Sequence, residues 1–210
     1  MKNLALFLVL TATLSAESLF NGKNLDGWIE DTPGLWKVRD GMIVGSSPGL
    51  KYNDFLRNRK FFGDFVLRLK FRLVKGEGNS GIQFRSKPVI ATHELSGFQA
   101  DIGQKYWGCL YDESRRQTVL VQATPASLEG LNKMGWNEYT ITAVGNKITL
   151  DLNGRRTVTY EETDPGIPRA GLIALQIHGG PPMEVHFKDI TIEAKWGKPK
   201  VCPLSVKASG

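Results

Sequence analysis

The segment WNEYTITAVGNKITLDLNGRRTVTY, residues 136–160, contains three short runs in which apolar and polar residues alternate. Alternation with a period of two places one set of side chains on each face of a β-strand. Gly145-Asn146 separates the first two runs and Asn153-Gly154 separates the last two. Asn-Gly is the strongest short-range signal of a two-residue hairpin. The segment therefore predicts three successive antiparallel strands in a meander.

The same period recurs elsewhere in the chain. FVLRLKFR, residues 65–72, places Phe and Leu on one face and mainly Arg and Lys on the other, and Asp40-Gly41 marks a hairpin between WKV and MIV. No helix-length amphipathic segment, internal repeat or low-complexity linker precedes the tail after Trp196. The sequence predicts an all-β fold, a two-sheet antiparallel sandwich.

The composition fits one folded domain and makes a nucleic-acid partner unexpected. The 210 residues are 41% apolar and 23% charged, as in globular proteins. The formal net charge is +6, but the basic residues are scattered apart from residues 57–60 and 195–200. A nucleic-acid surface needs a concentrated basic stripe with interleaved aromatic residues. We therefore expect no nucleic-acid binding.

The N-terminus, MKNLALFLVLTATLSA, has a Lys, an apolar run and small residues, which is the layout of a secretory signal peptide. The run is shorter than the roughly 20 apolar residues of a membrane helix, so we expect no membrane span. We predict a signal peptide at residues 1–16, a domain at residues 17–195 and a C-terminal tail at residues 196–210. The protein would then be exported, to the periplasm or the extracellular space.

Two cysteines, Cys109 and Cys202, could pair in an oxidising compartment. The apolar and aromatic residues around Cys109 instead favour a small buried side chain. The sequence leaves the redox state of both cysteines open, and it leaves the oligomeric state open as well.

Three predicted strands have a second face that is polar rather than merely charged. GIQFR, GFQADI and LIALQIH each place two hydrogen-bonding side chains on the face opposite their apolar residues. These six side chains are Gln83, Arg85, Gln99, Asp101, Gln176 and His178. If the strands are neighbours, the six line one face and suit a sugar or another polyol, although an ordinary solvated face gives the same alternation. The mixture of acid, base and amide side chains favours a ligand-binding or catalytic site over a solvated face.

Aromatic residues lie close to these strands in the sequence. Tyr106, Trp107 and Tyr111 flank the GFQADI run, and flat rings with a polar edge can stack on a sugar face. Core filling is the competing explanation for these rings. Of the other histidines, His93 is expected in an exposed loop at the rim of the site, and His186 is expected to face solvent.

Six stretches are similar, in order along the chain, to the motifs of a bacterial family, the 3-keto-disaccharide hydrolase domains. They are LFNGKNLDGW (19–28), GNSGIQFRS (78–86), GFQADIG (97–103), YWGCLYDESRR (106–116), WNEYTITAVGNKI (136–148) and GLIALQIHGGPPMEVHFKDITI (171–192). The resemblance implies a jelly-roll sandwich of the concanavalin A-like lectin and glucanase type, with its ligand site on the concave sheet. It also implies bacterial export and action on oxidised glycosides.

One position departs from the family pattern. Many relatives carry a Glu before the strand glutamine, whereas this chain has GFQADIG there. No role for that Glu can be carried over. Asp101 and the run of residues 111–113, YDE, are the candidate carboxylates instead.

The chemistry of 3-keto-glycosides gives these residue types a purpose. A ketone at carbon 3 acidifies the hydrogen at carbon 2, so a base can remove it, the enolate can expel the glycosidic oxygen, and water can then add. This route needs a general base, a general acid and stabilisation of the enolate. We assign His178 as base or metal ligand, Arg85 to the enolate oxyanion, and Asp101 with Glu113 to acid or metal ligation.

The remaining assignments concern binding. The predicted substrate-binding residues are Gln83, Gln99, Tyr106, Trp107, Tyr111 and Gln176. No cofactor is certain; a divalent metal ion is a candidate, with Asp101, Glu113 and His178 as ligands, although no HExxH or CxxC spacing supports it. The expected partner is a carbohydrate, an oxidised disaccharide or glycoside.

Two other functions fit the sequence. A simple glycosidase uses two carboxylates astride the scissile bond. Asp112 and Glu113 are adjacent on a strand and face opposite ways, so the pair would be Asp101 with Glu113 or Glu162. A non-catalytic carbohydrate-binding module would need only amides, rings and a cation. The acids and the histidine beside one face favour the enzyme.

Overall fold

The computed structural model describes residues 16–195 and 200–201. In this part of the chain the backbone forms sixteen β-strands and one 3₁₀ turn, Val74–Gly76, with no α-helix. The strands are β1 (Glu17–Ser18), β2 (Trp28–Glu30), β3 (Trp36–Arg39), β4 (Met42–Ser47), β5 (Asp54–Phe62), β6 (Phe65–Leu73), β7 (Asn79–Pro88), β8 (Leu95–Gly103), β9 (Leu110–Glu113), β10 (Thr118–Val121), β11 (Asn137–Val144), β12 (Lys147–Leu152), β13 (Arg155–Glu161), β14 (Gly171–Ile177), β15 (Met183–Ala194) and β16 (Lys200–Val201). Within the same residues, no helix is long and apolar enough to cross a membrane.

The two ends of the chain lie largely outside the described residues. The predicted signal peptide is described only at Ala16, and the predicted tail only at β16, so both assignments stay predictions. The backbone of β16 pairs antiparallel with Lys60 and Phe61 of β5. Cys202 lies outside the described residues, and Cys109 is buried.

Two antiparallel sheets confirm the predicted sandwich. The first sheet has the order β13-β12-β11-β6-β15-β4-β3, with β1 pairing β15. The second sheet has the order β10-β9-β8-β7-β14-β5-β16, with β2 pairing β5. Neighbours in these sheets are often distant in sequence, as in β6 with β15 and β7 with β14.

The hairpins form where the turn residues predict them. β11, β12 and β13 form the meander, and β3 and β4 form the N-terminal hairpin. Asn153 and Gly154 have φ values of 51° and 77°, and Asp40 and Gly41 have 51° and 71°. Positive φ at both central residues is the requirement of the type I′ turn, whose twist matches that of the flanking strands.

The inner faces of the two sheets share one hydrophobic core. Phe65 and Phe71 of β6 and Phe84 and Phe98 of the second sheet are almost completely buried in it, and the rings of Phe65 and Phe84 meet edge to face at 6.2 Å. Each such side chain contributes about 1.5–3 kcal/mol on burial. The predicted alternation of FVLRLKFR is confirmed, because Leu67, Leu69 and Phe71 are buried while Arg68 between them is exposed and pairs with a carboxylate.

A connection that we call the strap, residues 89–94, joins β7 to β8 and lies beside the outer face of the second sheet. Leu95, which follows it, packs with Phe55 and Ala174 in a small buried cluster on that face. The His93 ring stacks on Tyr52 with centroids 3.9 Å apart. These contacts tie the strap to the β5 and β14 side of the sheet.

Gly97 allows β8 to lie close to Ser86 of its neighbouring strand β7. A Cβ atom at residue 97 would lie 2.1 Å from Ser86 Oγ and 2.6 Å from Ser86 Cα. We expect Gly97→Ala to destabilise the fold by about 1–3 kcal/mol, because backbone must move to relieve the overlap. Gly63→Ala is the matched control, since no atom lies within 4 Å of its added Cβ. Thermal unfolding of both variants tests this, and equal melting temperatures would contradict it.

Candidate functional site

The outer face of the second sheet collects the polar side chains that the alternation singles out. β8, β7 and β14 are neighbours, and Gln83 of β7 lies directly opposite Gln99 of β8. Gln99 in turn lies opposite Tyr111 of β9. Ile82, Phe84 and Phe98 occupy the alternate positions and point into the core. The prediction that these strands are neighbours is confirmed.

A cavity of about 110 Å³ lies on this face, and we call it the first cavity. It is lined by Asn79, Gln99, Asp101, Tyr106, Tyr111, Glu113 and His178. Its lining contains two carboxyl groups, an imidazole, two phenols and two amides. These groups can donate to, accept from or exchange protons with a polyol.

A chain of side-chain hydrogen bonds fixes the amides beside the first cavity. Ser86 Oγ donates to Gln83 Oε1 at 2.6 Å, and Gln83 Nε2 donates to Gln99 Oε1 at 3.0 Å. Gln99 Nε2 then donates to Asp101 Oδ1, also at 3.0 Å. Because Asp101 Oδ1 accepts at one end of this chain, the two amide groups each have one orientation that satisfies their neighbours. The amide of Gln99 is therefore held in place, and it holds the carboxyl of Asp101.

Burial keeps Asp101 from ionising easily. Asp101 is only 3% exposed. Loss of hydration raises the pKa of its carboxyl group well above the ordinary value, and the charge of Glu113 raises it further. The hydrogen bond from Gln99 acts the other way and does not compensate. Burial thus favours the neutral acid. In that neutral form, Oδ1 accepts from Gln99 and Oδ2 carries the proton, so Oδ2 can donate a hydrogen bond.

Glu113 is poised between its two protonation states. Partial burial raises the pKa of Glu113 to about 7, and the negative charge of Glu94 adds to the rise. Asp112, the preceding residue, faces the other way and binds Arg115 and Arg116. The prediction that Asp112 and Glu113 point to opposite faces is confirmed. At neutral pH, Glu113 can act as a proton donor or as an acceptor.

His178 stands just beyond the end of β14 and is exposed. Its Nδ1 lies 2.5 Å from the carbonyl oxygen of Gly179. A carbonyl only accepts, so Nδ1 carries the proton of the neutral imidazole and Nε2 keeps its lone pair. Gly179 N donates to Asn53 Oδ1 at 2.9 Å, and Asn53 Nδ2 donates to both Glu94 carboxylate oxygens at 3.1–3.2 Å.

Two tyrosines complete the lining of the first cavity. Tyr106 and Tyr111 meet edge to face with ring centroids 6.2 Å apart. Burial raises the pKa of Tyr111, so its hydroxyl stays protonated at neutral pH. The pair offers aromatic surface and hydroxyl donors to the same ligand.

Two predicted site residues are not brought to the first cavity. Arg85 was expected to stabilise an oxyanion, but its guanidinium donates to Asp64 Oδ1, Gly63 O and Gly145 O at 2.8–3.2 Å. The strand register shifts between Phe84 and Lys87, and Arg85 has a φ of 48°, so a β-bulge turns it away from the face. Trp107 was expected to bind substrate, but it is buried in the core and stacks on Phe71 at 6.4 Å.

Two predicted binding amides lie behind the cavity lining rather than in it. Gln83 and Gln176 are both completely buried. Gln83 belongs to the hydrogen-bond chain described above, and so positions Gln99. Neither side-chain atom of Gln176 has a hydrogen-bond partner within the described residues, and the same holds for Asn79 Oδ1. Such buried polar atoms are rare and point to a partner such as a ligand hydroxyl or water.

The candidate metal ligands line the same cavity but do not form a coordination cluster. Among residues 16–195 and 200–201, no group of three His, Cys, Asp or Glu side chains is placed to hold a metal ion. Gln99 and Tyr111 form the strand row between Asp101 and Glu113. Asp101, Glu113 and His178 therefore lie at different places around the cavity rather than around one shared point.

A family model described as a 3-keto-alpha-glucoside-1,2-lyase-like domain matches residues 15–193. The chain belongs to this family. The resemblance drawn from the sequence motifs is thereby confirmed, and membership in this family supports a carbohydrate-active function. Among curated proteins, none matches the sequence.

Three solved structures share the fold of this member of the 3-keto-alpha-glucoside-1,2-lyase-like family. A candidate glycosyl hydrolase from Parabacteroides distasonis has a TM-score of 0.65 and 19% identity, covering 85% of this chain and 93% of that chain. The carbohydrate binding module CBM66 from Bacillus subtilis has a TM-score of 0.60 and 17% identity, covering 80% and 95%. The Bacillus licheniformis beta-glucanase has a TM-score of 0.59 and 14% identity, covering 89% and 100%. At these identities the likeness shows only the fold, the predicted jelly-roll sandwich.

Two residues of this family member's site were missed from the sequence. Asn79 was not among the predicted site residues, yet it lines the first cavity. Its position, four residues before Gln83 on the same strand, places it on the polar face and could have revealed it. Glu94 lies in the strap, and only the fold of that connection brings its charge close to Glu113.

Proposed function

We propose that this protein cleaves 3-keto-glycosides, including 3-keto-disaccharides, by proton abstraction next to the ketone, elimination and hydration. One observation carries the proposal. An imidazole with a free Nε2, a carboxyl group whose burial raises its pKa and favours its neutral form, and a carboxyl group with a pKa of about 7 line the same small cavity. An elimination next to a ketone needs a base, a hydrogen-bond donor and an acid.

In the first step, His178 Nε2 removes the proton from carbon 2 of the sugar. The electron pair of that C–H bond forms the enolate, and negative charge develops on the oxygen at carbon 3. Asp101 Oδ2–H donates a hydrogen bond to this oxygen. A neutral buried acid suits the task, because it costs no charge separation before the reaction.

In the second step, the enolate re-forms the ketone and expels the glycosidic oxygen from carbon 1. Glu113 gives its proton to that oxygen, so the aglycone leaves as a neutral alcohol. Water then adds to carbon 1 of the unsaturated ketone and carbon 2 regains a proton, which completes hydrolysis. Tyr106, Tyr111 and Asn79 hold the sugar through ring contact and hydrogen bonds.

The test is incubation of the purified protein with 3-ketotrehalose and, separately, with unoxidised trehalose. Release of reducing sugar from 3-ketotrehalose alone is expected, because trehalose lacks the acidified hydrogen. A parallel assay with chelator examines the candidate divalent metal at Asp101, Glu113 and His178. Cleavage of both sugars would favour a simple glycosidase with Asp101 and Glu113 as the carboxylate pair. Binding without cleavage would favour a carbohydrate-binding module.

Export is a second part of the proposal, and it rests on the pattern of residues 1–16. N-terminal sequencing of the protein recovered from the periplasm or medium should begin close to Glu17. Recovery of the chain with Met1 from the cytoplasm would contradict export.

The charge of Glu94 should be visible in the pH profile of the proposed reaction. Glu113 must be protonated to act as acid, so activity falls as pH rises through its pKa. Glu94 raises that pKa, and Glu94→Gln removes the charge while its amide oxygen can still accept from Asn53. We expect the alkaline limb of kcat against pH to move to lower pH in Glu94→Gln. Glu94→Asp, which keeps the charge, should move it less, and an unmoved limb in Glu94→Gln would contradict this assignment.

A further inference from the structure

A second cavity, of about 380 Å³, lies beside the same sheet, at the bulge of β7 and the turn between β9 and β10. Its volume lies in the usual range for small-molecule sites, roughly 300–1,000 Å³. The apolar part of its lining comes from Phe61 of β5 and from Ile167, Pro168 and Ala170 in the connection before β14. Pro168 and Ala170 are exposed, and Phe61 and Ile167 are partly exposed.

Residues that line the two cavities are neighbours in the sequence and in one hydrogen-bond chain. Glu113 lines the first cavity, and the next residues, Ser114 and Arg115, line the second. Ser86 also lines the second cavity, and its hydroxyl begins the hydrogen-bond chain that ends at Asp101. Glu113 lies opposite Gly97, which packs against Ser86 of the second cavity, so the proposed general acid lies between residues of the two cavities. In the proposed reaction, the group that takes a proton from Glu113 would then lie on the side of the second cavity.

Three of the six polar side chains around the second cavity are engaged with the protein, whereas those of Lys87, Ser96 and Ser114 have no side-chain hydrogen bond within the described residues. Arg115 binds Asp112 and lies over the Phe98 ring at 4.6 Å. Ser86 Oγ donates to Gln83 Oε1, with Phe84 O as its alternative acceptor, and Arg85 is held by Asp64 and two carbonyls. No carboxyl group belongs to this lining. Lys87, Ser96 and Ser114 could bind hydroxyls of a second sugar, but the lining offers it no carboxyl acceptor, whereas a planar apolar group would bury its surface against Phe61 and Ile167.

We propose that the second cavity is the aglycone subsite of this enzyme and that it selects glycosides with an apolar or aromatic aglycone over disaccharides. The expected preference between substrates rests on the proposed function. As a binding site it stands by itself, because the free aglycone should occupy the same cavity.

The first experiment compares kcat/KM for 4-nitrophenyl 3-keto-α-glucoside and for 3-ketotrehalose. We expect the wild-type protein to favour the aryl substrate by about tenfold or more, the discrimination that one apolar contact gives. Ala170→Asp places a charge at the rim of the second cavity on an exposed residue, and should lower the ratio by about tenfold. Ala126→Asp, at an exposed residue lining neither cavity, is the matched control and should leave the ratio unchanged.

The second experiment separates the subsite from the catalytic proposal. Binding of 4-methylumbelliferone alone is followed by its fluorescence in the wild-type protein, Ala170→Asp and Ala126→Asp. Weaker binding only in Ala170→Asp supports the subsite even if no 3-keto sugar is cleaved. Absence of binding to the wild-type protein, or equal binding by all three, would overturn it. So would a wild-type preference for 3-ketotrehalose.

Discussion

Replacing His178 with alanine should lower kcat on a 3-keto-glucoside by about 10²–10⁴-fold, the usual worth of a general base. The hydrogen bond from Nδ1 to Gly179 O leaves Nε2 as the only lone pair of the neutral ring, so the variant loses the group that removes the carbon 2 proton. Since His178 is exposed, added imidazole can reach the empty position. Part of the lost rate should therefore return with millimolar imidazole.

His93 provides the matched control for this substitution. His93 is also exposed, but it lies in the strap, where its ring stacks on Tyr52, and it does not line the first cavity. His93→Ala should keep the wild-type kcat within a few fold and should gain nothing from imidazole. A His178→Ala variant that turns over at the wild-type rate, with its melting temperature unchanged, would remove His178 from the mechanism.

The alternation of apolar and polar side chains correctly predicts most of the residues on the polar face of the second sheet. The period of two places Gln83, Gln99 and Asp101 opposite the core residues, and their strands are neighbours in the structure. The same rule fails at Arg85, because a β-bulge adds a residue between Phe84 and Lys87 and reverses the facing. A bulge leaves little trace in a single sequence, so a period counted through it misplaces the residues that follow.

Long-range packing explains the other errors. His186 was expected to face solvent, yet it is only 2% exposed, and Arg72 Nη2 lies 2.9 Å from its Nδ1. The ring of Trp136 lies 6.4 Å from it, on a segment fifty residues earlier. Alternation correctly places His186 away from the core, but it cannot show that side chains from other strands cover that outer face. Trp107 is the converse case, a ring near the site in sequence that the fold places in the core.

The second large effect is expected at Asp101, where two substitutions separate hydrogen-bond donation from charge. Asp101→Ala removes the donor to the enolate oxygen and should lower kcat by about 10²–10³-fold, as loss of one oxyanion donor does. Asp101→Asn keeps a donor, because its Oδ1 can accept from Gln99 while its Nδ2 donates into the cavity. The asparagine variant should therefore retain most of the activity that the alanine variant loses.

The two variants also differ in what they leave buried. In Asp101→Ala the Nε2 of Gln99 loses its acceptor, which costs about 1–3 kcal/mol, so kcat is compared at a temperature where both variants are folded. Equal loss in Asp101→Asn and Asp101→Ala would mean that the reaction needs an ionised carboxylate at this position. Such a carboxylate would have to ionise although burial and the neighbouring Glu113 both raise the pKa of Asp101. Asp101 would then be a base that ionises against its surroundings, and His178 would no longer be needed for proton abstraction.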